Sequence, residues 1–247
     1  MNDDNHSQEL DELASLLRDH VDPDLQMHGG GLFATFVNEL HHVDDKDGPL
    51  GRTSRWQDDV IVEAIASGSR VLDLGCGTGE LLEHLKGKAG RLQGVEVDHD
   101  QVAACVARGV PVFQADVDAG LREFDDDSFD YVVLEETLQA LRHPHDVLHE
   151  MLRIGRCGIV SFPNFGHWRI RLYLAAHGRM PVSHRLPHQW FDTPNIHHLT
   201  LRDFKAWCND NAVIIDRAMV LADGVVRPFA EGDNLHASEV LLFIRRS

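Results

Sequence analysis

From Arg70 onward the chain alternates short apolar runs with stretches whose apolar residues recur at helical spacing. RVLDL (70–74) is apolar and β-branched and stops at a glycine, as a strand buried on both faces does. Glu80–Lys86 follows, with Leu81, Leu82 and Leu85 spaced for a helix. LQGVEV predicts a second strand, His99–Arg108 a second helix, VPVFQAD a third strand and FDYVVLEE a fourth. His145–Ile154 reads as a further helix and GIVSF as the fifth strand. Ala212–Leu221 and Glu239–Arg245 are both apolar and β-prone and predict a closing antiparallel pair. Trp56–Ala66 enters the first strand as a helix. Strands and helices joined by short connections predict a doubly wound, Rossmann-like α/β fold with a mostly parallel sheet of seven strands. Residues at about 163–200 then form a helical cap inserted after strand five, on the carboxyl side of the sheet, where open α/β sheets bind ligands.

A chain of 247 residues, 43% of them hydrophobic, can bury a full core, and 51–247 reads as that domain. Residues 1–50 read as an acidic, partly flexible extension, with twelve acids against Arg18 and Lys46, so −10 of the net −17 lies there. The absence of a long apolar run predicts no membrane span, and the acidic start lacks the basic region of a secretory signal. Cys76, Cys105, Cys157 and Cys208 show no CxxC spacing, which argues against a zinc site and fits a reducing cytoplasm. A charge of −17 repels phosphate backbones and so excludes general nucleic-acid binding.

The stretch VLDLGCGTGE (71–80) places Gly75, Gly77 and Gly79 between a strand and a helix, where backbone can press against a ligand. GCGTG lacks the third glycine of a dinucleotide fingerprint, and Asp73 lies inside the strand, where such enzymes rarely carry an acid. Glu96 closes strand two, where a carboxylate can take ribose hydroxyls, and Asp116 closes strand three, within reach of an adenine amino group. Asp73, Glu96 and Asp116 surround the loop with negative charge, and no Lys or Arg lies within Gly75–Glu80. A pyrophosphate suits such a site poorly, and a cationic ligand with an adenosine part suits it better. Cys76 is a small residue that the turn tolerates, without the partner pattern of a nucleophile.

With these residues the chain resembles the class I S-adenosylmethionine-dependent methyltransferases over about 70–162. The resemblance implies a cofactor, S-adenosyl-L-methionine or S-adenosyl-L-homocysteine, with Asp73, Gly75, Cys76 and Gly77 near its methionine part. It further implies Glu96 at the ribose, Asp116 at the adenine, and Leu134 and Glu135 beside the sulfonium. A narrower resemblance, over about 52–222, is to the methionine biosynthesis protein MetW family. It rests on RVLDLGCGTGELLEHL, VEVDHDQVAACVARGV, FDYVVLEETLQAL, EMLRIGRCGIVSFPNFGHWRIRLYLAAHGRMPV and LPHQWFDTPNIHHLTLRDFKAWC. It implies a methyltransferase-like protein of methionine synthesis that partners a homoserine O-acyltransferase. Glu135-Glu136 departs from the smaller or neutral pair expected there and adds attraction for a cation. Residues 1–50 have no counterpart in the resemblance.

The cap is cationic and aromatic in an acidic chain. Between Ser161 and Lys205 only Asp192 and Asp203 are acidic, against six Arg and Lys, six histidines, Trp168 and Trp190. Pro163 stops strand five, Gly178 is a helix C-cap, and Thr200 with Asp203 begins another helix. Three readings stay open: a pocket for an anionic methyl acceptor held by Arg169, Arg171 or Arg179, a docking surface, or the core of a helical cap. Asn164, His167, Trp168, Arg169, Arg171, Arg179 and Trp190 are the candidate surface, and Gln139, one turn past strand four, is a polar candidate at the cofactor mouth. A histidine base is chemically conceivable, but no residue is assigned a catalytic role, and the histidine spacing does not predict a metal site. The function expected is accessory or regulatory support of the acyltransferase, the alternative being methyl transfer to an anionic small molecule.

Overall fold

The computed structural model describes residues 56–182 and 186–247, so the expected N-terminal extension lies outside the described residues. Helix α1 (Trp56–Ala64) leads to β1 (Arg70–Leu74), α2 (Glu80–His84), β2 (Arg91–Glu96), α3 (His99–Ala107) and β3 (Val112–Gln114). Then come β4 (Phe129–Leu134), α4 (Pro144–Ile154), β5 (Gly155–Pro163) and α5 (Trp168–His177). The chain closes with α6 (Leu201–Asp210), β6 (Val213–Ala222), β7 (Val225–Pro228), α7 (Asp233–His236) and β8 (Ala237–Arg246). One sheet runs in the order β3-β2-β1-β4-β5-β8-β6-β7. Its first five strands are parallel, and β8 enters antiparallel between β5 and β6.

The doubly wound α/β fold is as expected, with eight strands among the described residues where seven were expected. The added strand, β7, pairs only with β6 through a turn at Asp223-Gly224. At four residues it is too short to stand out as a periodic run. Strand β4 ends at Leu134 instead of continuing through Glu136, because Glu136 takes a positive φ of 47° and turns the chain out of the sheet. The expected caps form. Thr200 Oγ1 accepts from the Asp203 N–H at 3.1 Å while Asp203 accepts from the Thr200 N–H at 2.9 Å. Gly178 ends α5 in the left-handed conformation. Among the described residues from Gly178 to Leu199 no further helix follows α5.

Pleating divides the core. Leu72, Leu74, Val132, Leu134, Val160 and Phe162 pack on the side of α4 and α6. Val71, Val133, Ile159, Leu241 and Phe243 pack on the side of α1, α2 and α3. Side chains alternate faces along a strand, so Asp73, Glu135, Ser161 and Glu239 continue the second face. At the carboxyl ends of the parallel strands this face changes from apolar to polar, and that change marks the site.

Candidate functional site

The loop after β1 is held by its own backbone. The N–H groups of Gly75 and Cys76 donate to the Val95 carbonyl at 2.8 and 3.1 Å. Gly75 has φ +73°, and a Cβ there would meet Thr137 Oγ1 at 2.6 Å, so no larger residue fits between this loop and the chain leaving β4. Glu96 fixes the loop from the other side. Its Oε2 accepts from the Gly77 N–H at 2.9 Å, and its Oε1 accepts from Val97 and Asp98 at 2.8 and 2.9 Å. Three of the roughly four acceptor positions of a carboxylate are thereby used, and one is left for a ligand hydroxyl. Asp98 then caps α3 by accepting from Asp100 and Gln101.

Above the loop lies a cavity of about 180 Å³ lined by Asp73, Gly75, Cys76, Gly77 and Thr78, with Glu80, Leu81 and Gln101 behind them. Asp58 of α1 and Glu135 after β4 complete the lining. Asp58, Asp73 and Glu135 are all buried, and His84 Nδ1 stands 3.5 Å from Asp58. Among the described residues no Lys or Arg lines this cavity. Burial first, and then the Asp73 carboxylate, push the Cys76 thiol far above the ordinary thiol range, which favours its neutral form in the cavity wall. Beside the cavity α1 clamps the ends of β4 and β8. Gln57 Nε2 donates to Glu239 at 3.0 Å and to Glu136 at 3.3 Å, and Trp56 Nε1 donates to Glu239. The Glu136 N–H is held by Ser161 Oγ at 3.0 Å, which fixes the turn that delivers Glu135.

The loop residues expected at the cofactor, Asp73, Gly75, Cys76 and Gly77, come together around this cavity, with Glu96 bonded to the loop. Leu134 does not present its side chain there; it is fully buried in the opposite core, and its neighbour Glu135 lines the cavity. Asp116 is exposed and caps the 3-10 turn Val117–Ala119 by accepting from the Asp118 N–H at 2.9 Å. Asp58 and Gln57 were missed. Their readable signal was a carboxylate and an amide on the same helical stripe as Val60 and Ile61, where an amphipathic helix places apolar residues.

Several residues expected on a substrate or partner surface are interior, which corrects that reading. Asn164 is fully buried and satisfied: Nδ2 donates to the Asn234 and Ala237 carbonyls, and Oδ1 accepts from Gly166 and Leu201 N–H groups. His167 is the buried N-cap of α5 and accepts from the Arg169 N–H. Trp168 is 3% exposed, with the Arg169 guanidinium 5.2 Å above its ring. Gln139 is 5% exposed; its Nε2 donates to the Glu136 carbonyl at 2.6 Å, and its backbone carbonyl accepts from the Ile196 and His197 N–H groups at 2.9 and 3.0 Å. Arg171 is half-buried, Arg179 is exposed, and Trp190 stands 80% exposed.

A parallel sheet with a glycine loop after β1, an acid closing β2 and an antiparallel strand β8 beside β5 defines the S-adenosylmethionine-dependent methyltransferase fold. The chain superposes on an S-adenosylmethionine-dependent methyltransferase of Thermotoga maritima, a possible histamine N-methyltransferase, with a TM-score of 0.58 and 17% identity. That match covers 89% of this chain and 100% of the other. It also superposes on the [4+2]-cyclase SpnF with a TM-score of 0.56 and 17% identity, covering 81% of this chain and 85% of that one. The name of the second shows that this fold does not by itself specify methyl transfer. Within the class, the chain belongs to the methionine biosynthesis protein MetW family, whose sequence profile matches residues 55–244. It is 39% identical over 178 residues to the bifunctional methionine biosynthesis protein MetXA/MetW of Rhodopirellula baltica. That match spans 68% of this chain but only 29% of the relative.

Proposed function

We propose that this chain binds S-adenosyl-L-methionine or S-adenosyl-L-homocysteine and acts in the cytoplasm as an accessory, regulatory partner of a homoserine O-acyltransferase. The observation that carries the reading is the cavity itself: glycine-loop backbone below, Asp58, Asp73, Glu80 and Glu135 around it, and no Lys or Arg among the described lining residues. A pyrophosphate would meet repulsion there, whereas a sulfonium and an α-ammonium meet attraction that strengthens with burial. Asp73, Gly75 and Gly77 would hold the methionine part, Glu96 a ribose hydroxyl through its remaining acceptor position, and Asp116 the adenine edge. When bound, the cofactor supplies an activated methyl group and a positive charge; the residues of this chain orient and hold it.

An anionic methyl acceptor would need a cationic clamp over the cavity. Arg169 lies over Trp168 instead, and no arginine of the segment after β5 is among the described lining residues. This favours the accessory reading over methyl transfer to an anion. The Rhodopirellula relative, named for a MetXA and a MetW part in one polypeptide, supports association with the acyltransferase. Homoserine acylation by the co-expressed acyltransferase, measured with and without this chain across an S-adenosylmethionine titration, tests the reading. We expect the rate to depend on the chain and to respond to the cofactor. An acyltransferase that is indifferent to the chain and does not co-purify with it would overturn the reading.

A further inference from the structure

Most apolar side chains after β5 are buried, but one group is not. Trp190 and Phe191 are 80% and 70% exposed and stand edge to face, with ring centroids 5.6 Å apart. Met180, Val182 and Ile196 are exposed in the same segment. Met180 and Trp190 share the rim of a second cavity, of about 120 Å³, with Phe165, Leu186 and His198. A protein rarely leaves an indole and a phenyl ring side by side in water, and a contiguous exposed apolar group beside a socket is the anatomy of an interface.

The segment is a shaped surface. Leu186 is buried, the Asn195 N–H donates to Thr193 Oγ1 at 3.1 Å, and the Asp192 N–H donates to the Gln189 carbonyl at 3.3 Å. The Ile196 and His197 N–H groups both end on the Gln139 carbonyl. Gln139 belongs to the same short stretch as Glu135, which lines the cofactor cavity. The segment that carries the exposed rings is thereby tied, through Ile196 and His197, to the chain that forms one wall of that cavity.

Charge narrows the occupant. The described residues between 178 and 200 carry Arg179 and three histidines against Asp192 alone, in a chain of net charge −17. A second copy docked by the same face would set arginine against arginine, and the acidic remainder of the chain would repel nucleic acid. The face fits a different protein, one presenting apolar sockets with carboxylates at their rim.

We propose that this face, anchored by Trp190 and Phe191, is where the homoserine O-acyltransferase docks; the inference rests on the accessory reading above. The aromatic pair supplies the desolvated centre and Arg179 the cationic rim that steers approach.

The test is the affinity of the purified full chain for the purified acyltransferase by biolayer interferometry, with S-adenosylmethionine binding to the same samples measured by calorimetry. The Trp190→Ala/Phe191→Ala variant should lose about thirtyfold in affinity for the acyltransferase, the effect of removing a hot spot of about 2 kcal/mol, with cofactor binding and melting temperature unchanged. Val225→Ala, at an exposed apolar residue of β7, should change nothing, and Arg179→Glu should slow association. If the wild-type chain binds the acyltransferase and the double variant binds it equally well, the docking face is wrong while the accessory reading stands. If the wild-type chain does not bind it at all, both fail. If gel filtration shows a wild-type homodimer that the double variant dissolves, the face belongs to self-association and the proposal is overturned.

Discussion

Glu96 shows how one side chain can organise a site before any ligand arrives. Its three backbone partners lie in the glycine loop and at the start of α3, so the carboxylate sets the position of Gly77 as well as the charge beneath it. Cys76 carries the opposite lesson: a thiol in a binding loop, kept neutral by burial and a neighbouring carboxylate, is there for its size. Burial acts on other thiols too. It pushes the Cys157 and Cys208 thiols up from an ordinary value of 9.0 to about 11. A group whose folded pKa is raised stabilises the fold fully below the unfolded pKa and loses that contribution as pH climbs through the folded value. We therefore expect thermal stability to decline between about pH 9 and pH 11. A Cys157→Ala/Cys208→Ala variant should decline less steeply across that window. Parallel pH profiles for the two proteins would refute the assignment.

At the scale of elements, the decisive contacts join strands to the pieces that follow them. Asn164, just past β5, ties that strand to the segment around α7 and to the first turn of α6 through three hydrogen bonds, and a fourth closes its own loop at Gly166. Removing it leaves buried backbone groups without partners, so Asn164→Ala should cost about 3 kcal/mol or more of unfolding free energy in urea titration. A loss below about 1 kcal/mol would mean that water or local relaxation replaces those bonds. The β6–β7 hairpin is similarly clasped by Arg227, whose guanidinium meets the buried Asp233 carboxylate at 2.6 and 2.7 Å. Neither tie could be read from the chain, because neither pairing leaves a periodic pattern in the sequence. RVLDL and GIVSF announced themselves because strands buried on both faces are continuous apolar runs. Trp168 and Trp190 look alike in a composition count, yet one is core and the other surface. Only the turn at His167 and the path after Gly178 separate them.

For the whole molecule, sheet insertion decides what the site contains. Because β8 lies between β5 and β6, Glu239 comes opposite Pro163 and beneath Trp56 and Gln57, although it is 183 residues from the former. Four polar residues that are remote in sequence thus end on one face at one edge of the parallel strands. The glycine loop, Asp73 and the acid closing β2 were legible because the motif is local. Asp58 was not, because its role depends on how α1 lies across the sheet. We propose that this face holds the sulfonium cofactor. Calorimetric titration of the full chain with S-adenosylmethionine, beside the Asp73→Asn variant, tests it most directly. We expect one site per chain and an affinity reduced about tenfold or more in the variant, as for a lost charge-assisted contact of about 1.5–3 kcal/mol. No binding by the wild-type chain, or equal binding by both proteins, would contradict it.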